Sequence, residues 1–419
     1  MRLISALILL FIPVASIAQN SMDVLVSEAL RANPGIKSLD EQVRALRAGA
    51  EASQKWKDPV LSAEYSNFPW DTWSLGDSPM TGVQVKIEQT FPFPGKNDRR
   101  KAAAEAGTEV IKLQRDELVN QLSGLVKSQY LDLTLVRQLK ALTEKHINIV
   151  AGLLDRVRVS YEVGKGNQKD VLRLELLKQK LADDVMDFDR KDREITATLN
   201  SALHRDMSGE ISTPARIQTG KTALPPEKLA EAAVKNRPLL AQIRARAAML
   251  RLAADEADWD RWPDLSLWLG YRFRMQSGVD DGSDFMSLGL GVPLPFNYTD
   301  SSDAKKQQLL SMAASAEFEY KALLDRIKAE IEQSLAAWNR AVQKSGNYRN
   351  RLVPAAQKTL DASLLAYETD RADFFSIYRA ELDLLEFERA ITTASIQAAR
   401  MKARIETVTG TDLDEVGEK

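Results

Sequence analysis

Lys86, Glu88, Arg272 and Arg274 stand on the polar side of two short segments whose alternate residues are apolar. In residues 82–91, Val83, Val85, Ile87 and Phe91 face one way and Gln84, Lys86 and Glu88 the other. In residues 264–274, Leu265, Leu267, Leu269, Tyr271 and Phe273 oppose Ser266, Gly270, Arg272 and Arg274, with Trp268 also on the polar side. A period of two marks a strand with one apolar and one wet face. The charges are of both signs, so what they offer is a hydrated, weakly selective wall. Catalytic chemistry has little to draw on. The chain has no cysteine, which excludes disulfides, thiolate metal sites and thiol nucleophiles. His146 and His204 are the only histidines. No Ser-His-Asp set, metal triad or phosphate loop stands out, and the carboxylates on helical stretches read as solvated faces. An enzyme is therefore not indicated, nor is a cofactor. A net charge of −2 offers no basic field for nucleic acid. The methionines are scattered and are assigned to packing.

The elements that must position this wall are mostly helical. Of the 419 residues, 28% are charged and 7% aromatic, a balance that suits long solvated helices better than one compact core. The chain is also a tandem duplication. Pro34 and Pro59 recur 204 residues later as Pro238 and Pro263, and Pro92 and Pro94 recur 201 later as Pro293 and Pro295. Tyr161, Glu162 and Glu175 recur 206 later as Tyr367, Glu368 and Glu381. Missing a repeat of this kind misassigns the fold. The first repeat, 19–205, reads as a helix interrupted at Asn33-Pro34, strands at 60–66 and 82–91, and long helices at 98–163 and 168–205. An irregular linker, 206–226, holds Pro214, Pro225 and Pro226. The second repeat, 227–408, reads as a helix broken at Pro238, strands at 264–274 and 285–292, and long helices at 303–368 and 374–408, with a kink at Pro354. Residues 409–419 read as a loose acidic tail.

In the helix 98–163, apolar or tolerated residues at 118, 122, 125, 129, 133, 136, 140, 143, 147, 150, 154, 157 and 161 keep the three-four spacing of a coiled-coil seam. At 1.5 Å per residue this helix is roughly 100 Å long. Gly164 and Gly166 end it, and the short connection makes the next helix an antiparallel neighbour. Gly164 suits the residue just past a helix end, where a left-handed conformation is needed.

Residues 1–18 read as a cleaved export signal. Arg2 supplies the positive start, Leu3 to Ile12 the apolar run, and Ser16-Ile17-Ala18 the cleavage site. No later run approaches the ~20 apolar residues of a spanning helix. If the chain crosses a membrane, it does so with strands. A soluble sheet with one buried face has the same alternation. The flanking aromatics Tyr65, Phe68, Trp70, Trp73, Trp262, Tyr271, Phe296 and Tyr298 favour an interface belt, and the export signal adds weight. Four strands cannot close a barrel, for which ~8 is the practical minimum, so spanning strands require several chains to share one barrel. Lys86, Glu88, Arg272 and Arg274 then line its lumen.

The order helix, strand, strand, long helix, helix, given twice, resembles the TolC family of outer-membrane efflux channels over nearly the whole mature chain. The best local match lies in two hairpin tips. One reads Tyr161-Glu-Val-Gly164-Lys-Gly-Asn-Gln-Lys-Asp170-Val171-Leu172; the other runs from Tyr367 through Asp370, Arg371, Phe374, Ser376 and Ile377 to Arg379 and Glu381. Both resemble the family's Tyr-x-x-Gly…Asp-Val-Leu tip. The strand exit Phe91-Pro-Phe-Pro-Gly-Lys96 resembles members that serve heavy-metal pumps of the resistance–nodulation–division (RND) class. The resemblance implies a mainly α chain with a small β part that forms a homotrimer. Its strands would make a twelve-strand barrel in outer-membrane lipid, above a helical periplasmic tunnel. It further implies a passive exit duct of a tripartite system, with a periplasmic membrane-fusion adaptor and an inner-membrane RND-type pump as partners.

By the same resemblance, the tips close the periplasmic mouth and meet the adaptor. Gate positions are Tyr161, Gly164, Asp170, Tyr367, Asp370, Arg371, Ser376 and Arg379, and docking positions are Gly164, Val171, Leu172, Phe374 and Ile377. A hydrogen bond between the Tyr367 hydroxyl and the Asp170 carboxylate would latch the mouth. The sequence departs from the family where acidic residues often form a constriction and Ser376 and Arg379 stand instead, and where Asp370 replaces a usual glycine. Cation selectivity therefore does not carry over. The competing reading is a periplasmic coiled-coil adaptor or scaffold without a membrane barrel. Such a protein would carry a biotinyl-like domain or one of many short strands, not two matched strand pairs.

Overall fold

The computed structural model describes residues 14–76, 78–217, 225–278, 280–294, 298–369 and 371–413. Most of the segment expected to be an export signal, Asp370, Phe296, residues 218–224 of the linker and the end of the tail lie outside them.

Proline placement explains the short helices. Helix α1 (Val14–Ala32) is followed by α2 (Pro34–Ser53). At the break the Asn33 Oδ1 accepts from the backbone N–H of Gly35 (2.8 Å) and Ile36 (3.2 Å), so asparagine caps a helix that proline opens. The second repeat uses the same device. Helix α5 (Pro226–Asn236) stops at Arg237, whose backbone is extended (φ −71°, ψ 113°), and α6 (Pro238–Trp259) begins. The residue before a proline is pushed out of the helical region, and here that residue is the hinge.

Strands β1 (Val60–Ser66) and β2 (Gly82–Phe91) lead into α3 (Lys96–Glu162) and α4 (Gln168–Ala202). Strands β3 (Leu265–Arg274) and β4 (Phe285–Gly291) lead into α7 (Tyr298–Asn347), α8 (Val353–Glu368) and α9 (Phe374–Thr409). The kink expected at Pro354 is a π-helical turn, Tyr348–Leu352, between α7 and α8. Proline lacks the N–H the helix needs and crowds the preceding turn, which widens.

Two compact units divide the chain, and each draws on both repeats. One contains residues 1–37, 115–238 and 323–419. Near the hairpin ends its core joins Val150, Leu154 and Val157 of α3 to Leu174 and Leu177 of α4, Leu360 of α8, and Phe374, Ile377 and Leu384 of α9. Farther along α3, Val126, Tyr130 and Leu133 pack with Leu25 and Ala29 of α1 and Leu199 of α4. Most of the expected seam is buried, but Leu125 and Tyr161 are each 45% exposed, while Val126, Tyr130 and Leu153 go inside. A helix flanked by several neighbours buries a broader stripe than a two-helix seam. Paired charges also tie α3 to α4: Arg137 holds Asp192 through two nitrogens (2.6 and 3.1 Å), and Lys140 holds Asp189 at 2.6 Å. The Arg137 guanidinium keeps the Asp192 carboxyl below its usual range.

The second unit contains residues 38–114 and 239–322. Its sheet runs β1-β2-β3-β4, antiparallel throughout. The central pairing, β2 with β3, joins the two repeats over ten residues, from Gly82 opposite Arg274 to Phe91 opposite Leu265. Buried alanines, among them Ala247, Ala254, Ala313 and Ala316, supply much of its helical packing.

Candidate functional site

Register sets the two faces of the sheet. Leu61 lies opposite Ile87, Ile87 opposite Leu269, and Leu269 opposite Leu288. One row lower, Ala63, Val85, Tyr271 and Met286 align in the same way. The result is a continuous apolar face across four strands. Leu61 (71%), Met286 (75%) and Leu288 (78%) stand almost free of other atoms of the chain. Surface-exposed apolar patches of this extent mark contact with lipid or another protein. Strands β1 and β4 are the ends of the sheet, and neither has a second partner strand among the described residues.

The other face carries Ser62, Glu64, Gln84, Lys86, Glu88 and Arg272. Its charges are locally balanced. Lys86 Nζ lies 2.8 Å from Glu88 Oε2 and 5.8 Å from the centre of the Trp268 ring. Arg272 donates to Gln84 Oε1 from Nη2 (2.8 Å) and Nε (3.2 Å). Trp268 fits because Gly289 lies opposite it on β4: a Cβ there would sit 2.2 Å from the indole. Arg274 departs from the expected row of wall residues. Its side chain is only 4% exposed. It binds Asp280 (3.0 Å), the Ser283 carbonyl (2.7 Å) and the Pro79 carbonyl, with its guanidinium 4.0 Å over the Phe285 ring. The residue closes the loop between β3 and β4 and is not a free charge on the wall. Its place at the last position of the strand is what turns it into the loop.

Sequence reasoning did not find the anchor at the strand exit. Lys96, in the Pro-Gly-Lys run, is buried and reaches Asp264 (3.3 Å), Asp260 (3.4 Å) and the Trp262 carbonyl (3.3 Å). Asp264 also accepts from the Phe93 N–H at 3.2 Å. The acidic residues flanking Trp262-Pro263, set against a single lysine after Phe-Pro-Phe-Pro-Gly, are the trace this leaves in the sequence.

The hairpin tips lie in the other unit. Gly164 adopts φ +77°, and its N–H bonds the Tyr161 carbonyl at 3.0 Å. The N–H groups of Lys165 and Gly166 both reach the Ser160 carbonyl at 2.9 Å, which closes the end of α3. Asp170 sits in the first turn of α4, where its charge faces the positive helix end. Val171 packs on the core, and Leu172 is 50% exposed.

At the second tip, Asp373 caps α9, accepting from the Ser376 N–H (3.1 Å) and hydroxyl (2.8 Å). Ser376 is therefore engaged in the cap. Arg371 is exposed, and exposed Arg379 pairs with Asp383 at 3.4 Å, one turn along α9. Phe374 (4% exposed) and Ile377 (1%) are core residues, unlike the docking positions expected of them. The residue between them that turns outward is Phe375, 52% exposed. A three-residue spacing from 374 to 377 keeps both on the inward stripe of α9.

Tyr367 is partly buried against the same core, and among the described residues no hydrogen bond joins its hydroxyl to Asp170. The polar ties nearest the tips are Arg156–Glu368 (3.0 Å), between α3 and α8, and Arg158–Glu175 (3.1 Å), between α3 and α4. Deeper in the bundle, His146 is fully buried, with Nδ1 2.6 Å from Glu381 and Nε2 2.7 Å from Glu388. Glu381 was visible only as the repeat of Glu175. The two glutamates have diverged: one pairs with arginine at the surface and the other with histidine in the core. Among the described residues, no group of three or more histidine and carboxylate side chains is arranged to hold a metal, and no helix is long and apolar enough to cross a membrane.

No family model and no curated relative matches the chain. Solved structures do. The chain is similar to the outer-membrane channel OprN, with 17% identity, a TM-score of 0.79, and coverage of 93% of this chain and 90% of that one. It is similar to the outer membrane protein VceC of Vibrio cholerae, with 15% identity, a TM-score of 0.78, and coverage of 95% and 99%. It is similar to CusC, studied for transmembrane channel formation, with 14% identity, a TM-score of 0.78, and coverage of 94% and 92%. Taken with the four-stranded sheet and the paired helical hairpins, these likenesses show that the chain has the fold of the TolC-type outer-membrane channels.

Proposed function

We propose that copies of this chain assemble in the outer membrane as the passive exit duct of a tripartite efflux system. One observation carries this reading: a four-stranded sheet with an exposed apolar face, a wet face of balanced charge, and an unpaired edge on either side. Sheet edges are not stable in lipid, and a closed barrel made from several chains removes them. The shared fold supports three copies, and hence a twelve-strand barrel and a helical tunnel on the periplasmic side. An inner-membrane RND-type pump would supply the energy, and a periplasmic membrane-fusion adaptor would join it to the duct. The Phe91-Pro-Phe-Pro-Gly-Lys96 exit resembles that of family members that serve heavy-metal pumps. A duct needs no affinity for what it passes.

The tips are the adaptor-docking ends in this reading, with Gly164 shaping the first and Leu172 and Phe375 presenting apolar contacts. A Tyr367–Asp170 latch, unmade within the chain, would form between neighbouring copies. A periplasmic adaptor or scaffold is the weaker reading, because a bare apolar sheet face is a liability in water.

The test is membrane fractionation, then native mass of the detergent-solubilised protein and single-channel conductance in planar bilayers. An outer-membrane oligomer that conducts is expected. Recovery as a water-soluble monomer would overturn the reading.

A further inference from the structure

A groove opens at the end of the sheet where β2 leaves for α3. It has a volume of about 960 Å³ and lies wholly within the sheet-bearing unit. Its walls are aromatic. Trp56 and Phe91 meet edge to face at 5.3 Å, and Phe93 stacks on Trp262 at 5.0 Å. These rings are held in place from behind. Asn97 is buried and donates to the carbonyls of Gln54 (3.0 Å) and Lys55 (3.4 Å), which fastens the end of α2 to the start of α3. Gly95, at φ +86°, makes the turn that brings Phe93 back onto Trp262.

Two features say what fits there. The first is continuity: Phe91 and Leu265 line the groove and also belong to the exposed apolar face of the sheet. A hydrocarbon chain lying on that face reaches the groove along Leu269, Leu267 and Leu265 of β3, beside Gln89 of β2. The second is charge. Trp56 is 63% exposed and is flanked by Lys55 and Lys57, both exposed and without an ion-pair partner among the described residues. Asp98 lines the same groove, held by the Gln54 amide at 3.0 Å. Lys55 and Lys57 adjoin Trp56 in the chain without themselves lining the groove, so two cations border the slot and one carboxylate, Asp98, lines it, which complements a headgroup that carries both a phosphate and an ammonium.

We propose that this groove seats one zwitterionic glycerophospholipid of the ethanolamine class. Its acyl chains lie along Trp56, Phe91 and Trp262, its phosphate meets Lys55 and Lys57, and its ammonium meets Asp98. The assignment rests on the outer-membrane reading above.

The protein is delipidated in detergent and reloaded with phosphatidylethanolamine in mixed micelles, and bound lipid per chain is counted by native mass spectrometry. Wild type is expected to retain lipid. Trp56→Ala with Trp262→Ala, and Lys55→Ser with Lys57→Ser, are each expected to weaken retention at least about tenfold. Leu288→Ala, on the apolar face away from the groove, retains it as wild type does. Circular dichroism shows that each variant keeps its helices. Equal retention by the groove variants overturns the proposal, as does equally tight loading of phosphatidylglycerol. An altered oligomeric mass with unchanged lipid content overturns it in favour of a second copy of the chain covering the groove. Loading in micelles is read independently of cell fractionation. A membrane-embedded protein that loads no lipid sinks only the groove, and a protein absent from membranes sinks the duct.

Discussion

The Nδ1 of His146 lies 2.6 Å from Glu381 Oε1, with the ring fully buried between α3 and α9. The second ring nitrogen meets Glu388 at 2.7 Å, and Lys145 reaches the same carboxylate at 2.9 Å. An imidazole with an acceptor on both nitrogens is best satisfied as the cation. Burial pulls its pKa down, but the hydrogen bonds and charges of the two glutamates outweigh it, and the net shift is upward. Glu388 is shifted the other way, chiefly by the hydrogen bond from His146. The contact is therefore an ionic clamp in a helical core, and its strength depends on pH.

The sign follows from linkage. A raised histidine contributes stability that is complete below its unfolded value of about 6.5 and is lost as pH rises through the folded one. A depressed glutamate contributes stability that is complete above its unfolded value of about 4.3 and is lost as pH falls through the folded one. The melting temperature of wild type should exceed that of His146→Gln most between these two values, and the gap should narrow on either side. His146→Leu leaves Glu381 buried and uncompensated, at a cost of about 3–5 kcal/mol. A gap that does not vary with pH would show that the ring is held neutral.

Gly289 faces Trp268 across the β3–β4 pair. With a Cβ at 2.2 Å from the indole, Gly289→Val forces the ring out of place. Overpacking of this kind costs about 1–3 kcal/mol. The variant should unfold at a lower temperature than wild type, and, if the chain assembles as proposed, should yield less oligomer in detergent. Trp268→Ala combined with Gly289→Val should recover most of the loss, because the two side chains compete for one space.

Arg272 and Arg274 are both arginines on the polar side of β3 but have different work. Arg272→Ala removes a charge of the polar face that, among the described residues, binds Gln84; if copies of the chain form the proposed pore, its ion preference should shift with little change in melting temperature. Arg274→Ala leaves a loop of carbonyls and Asp280 without their cation. It should lower stability by about 1–3 kcal/mol, read as a lower midpoint in thermal unfolding.

The contrast shows what the sequence made legible. Strand period and proline breaks placed the four strands and the helix breaks at Pro34 and Pro238 to within a few residues, because each is written in local spacing, whereas α1 and α7 begin earlier than that spacing indicated. Which strand-face residue stays on the wall depends on the loop beyond it, and nothing in the spacing distinguished Arg274 from Arg272. At the tips, turn chemistry was readable at Gly164, but the motif assigned Phe374 and Ile377 to an outer surface that their helical phase puts inside. The buried His146 had no local sign at all, since its partners lie 235 and 242 residues away along the chain.

That helical phase separates docking from folding at the second tip. Phe374 is part of the bundle core, so Phe374→Ala should cost about 3–5 kcal/mol and loosen the hairpin. Phe375→Ser alters a side chain that is half exposed and should leave melting and helicity near wild type. If the tips dock an adaptor through apolar contacts, Phe375→Ser and Leu172→Ser should each weaken capture of the adaptor by the intact protein by roughly tenfold, the effect of losing about 1.4 kcal/mol. Capture unchanged in both, with the hairpin still folded, would move the docking surface away from the tips.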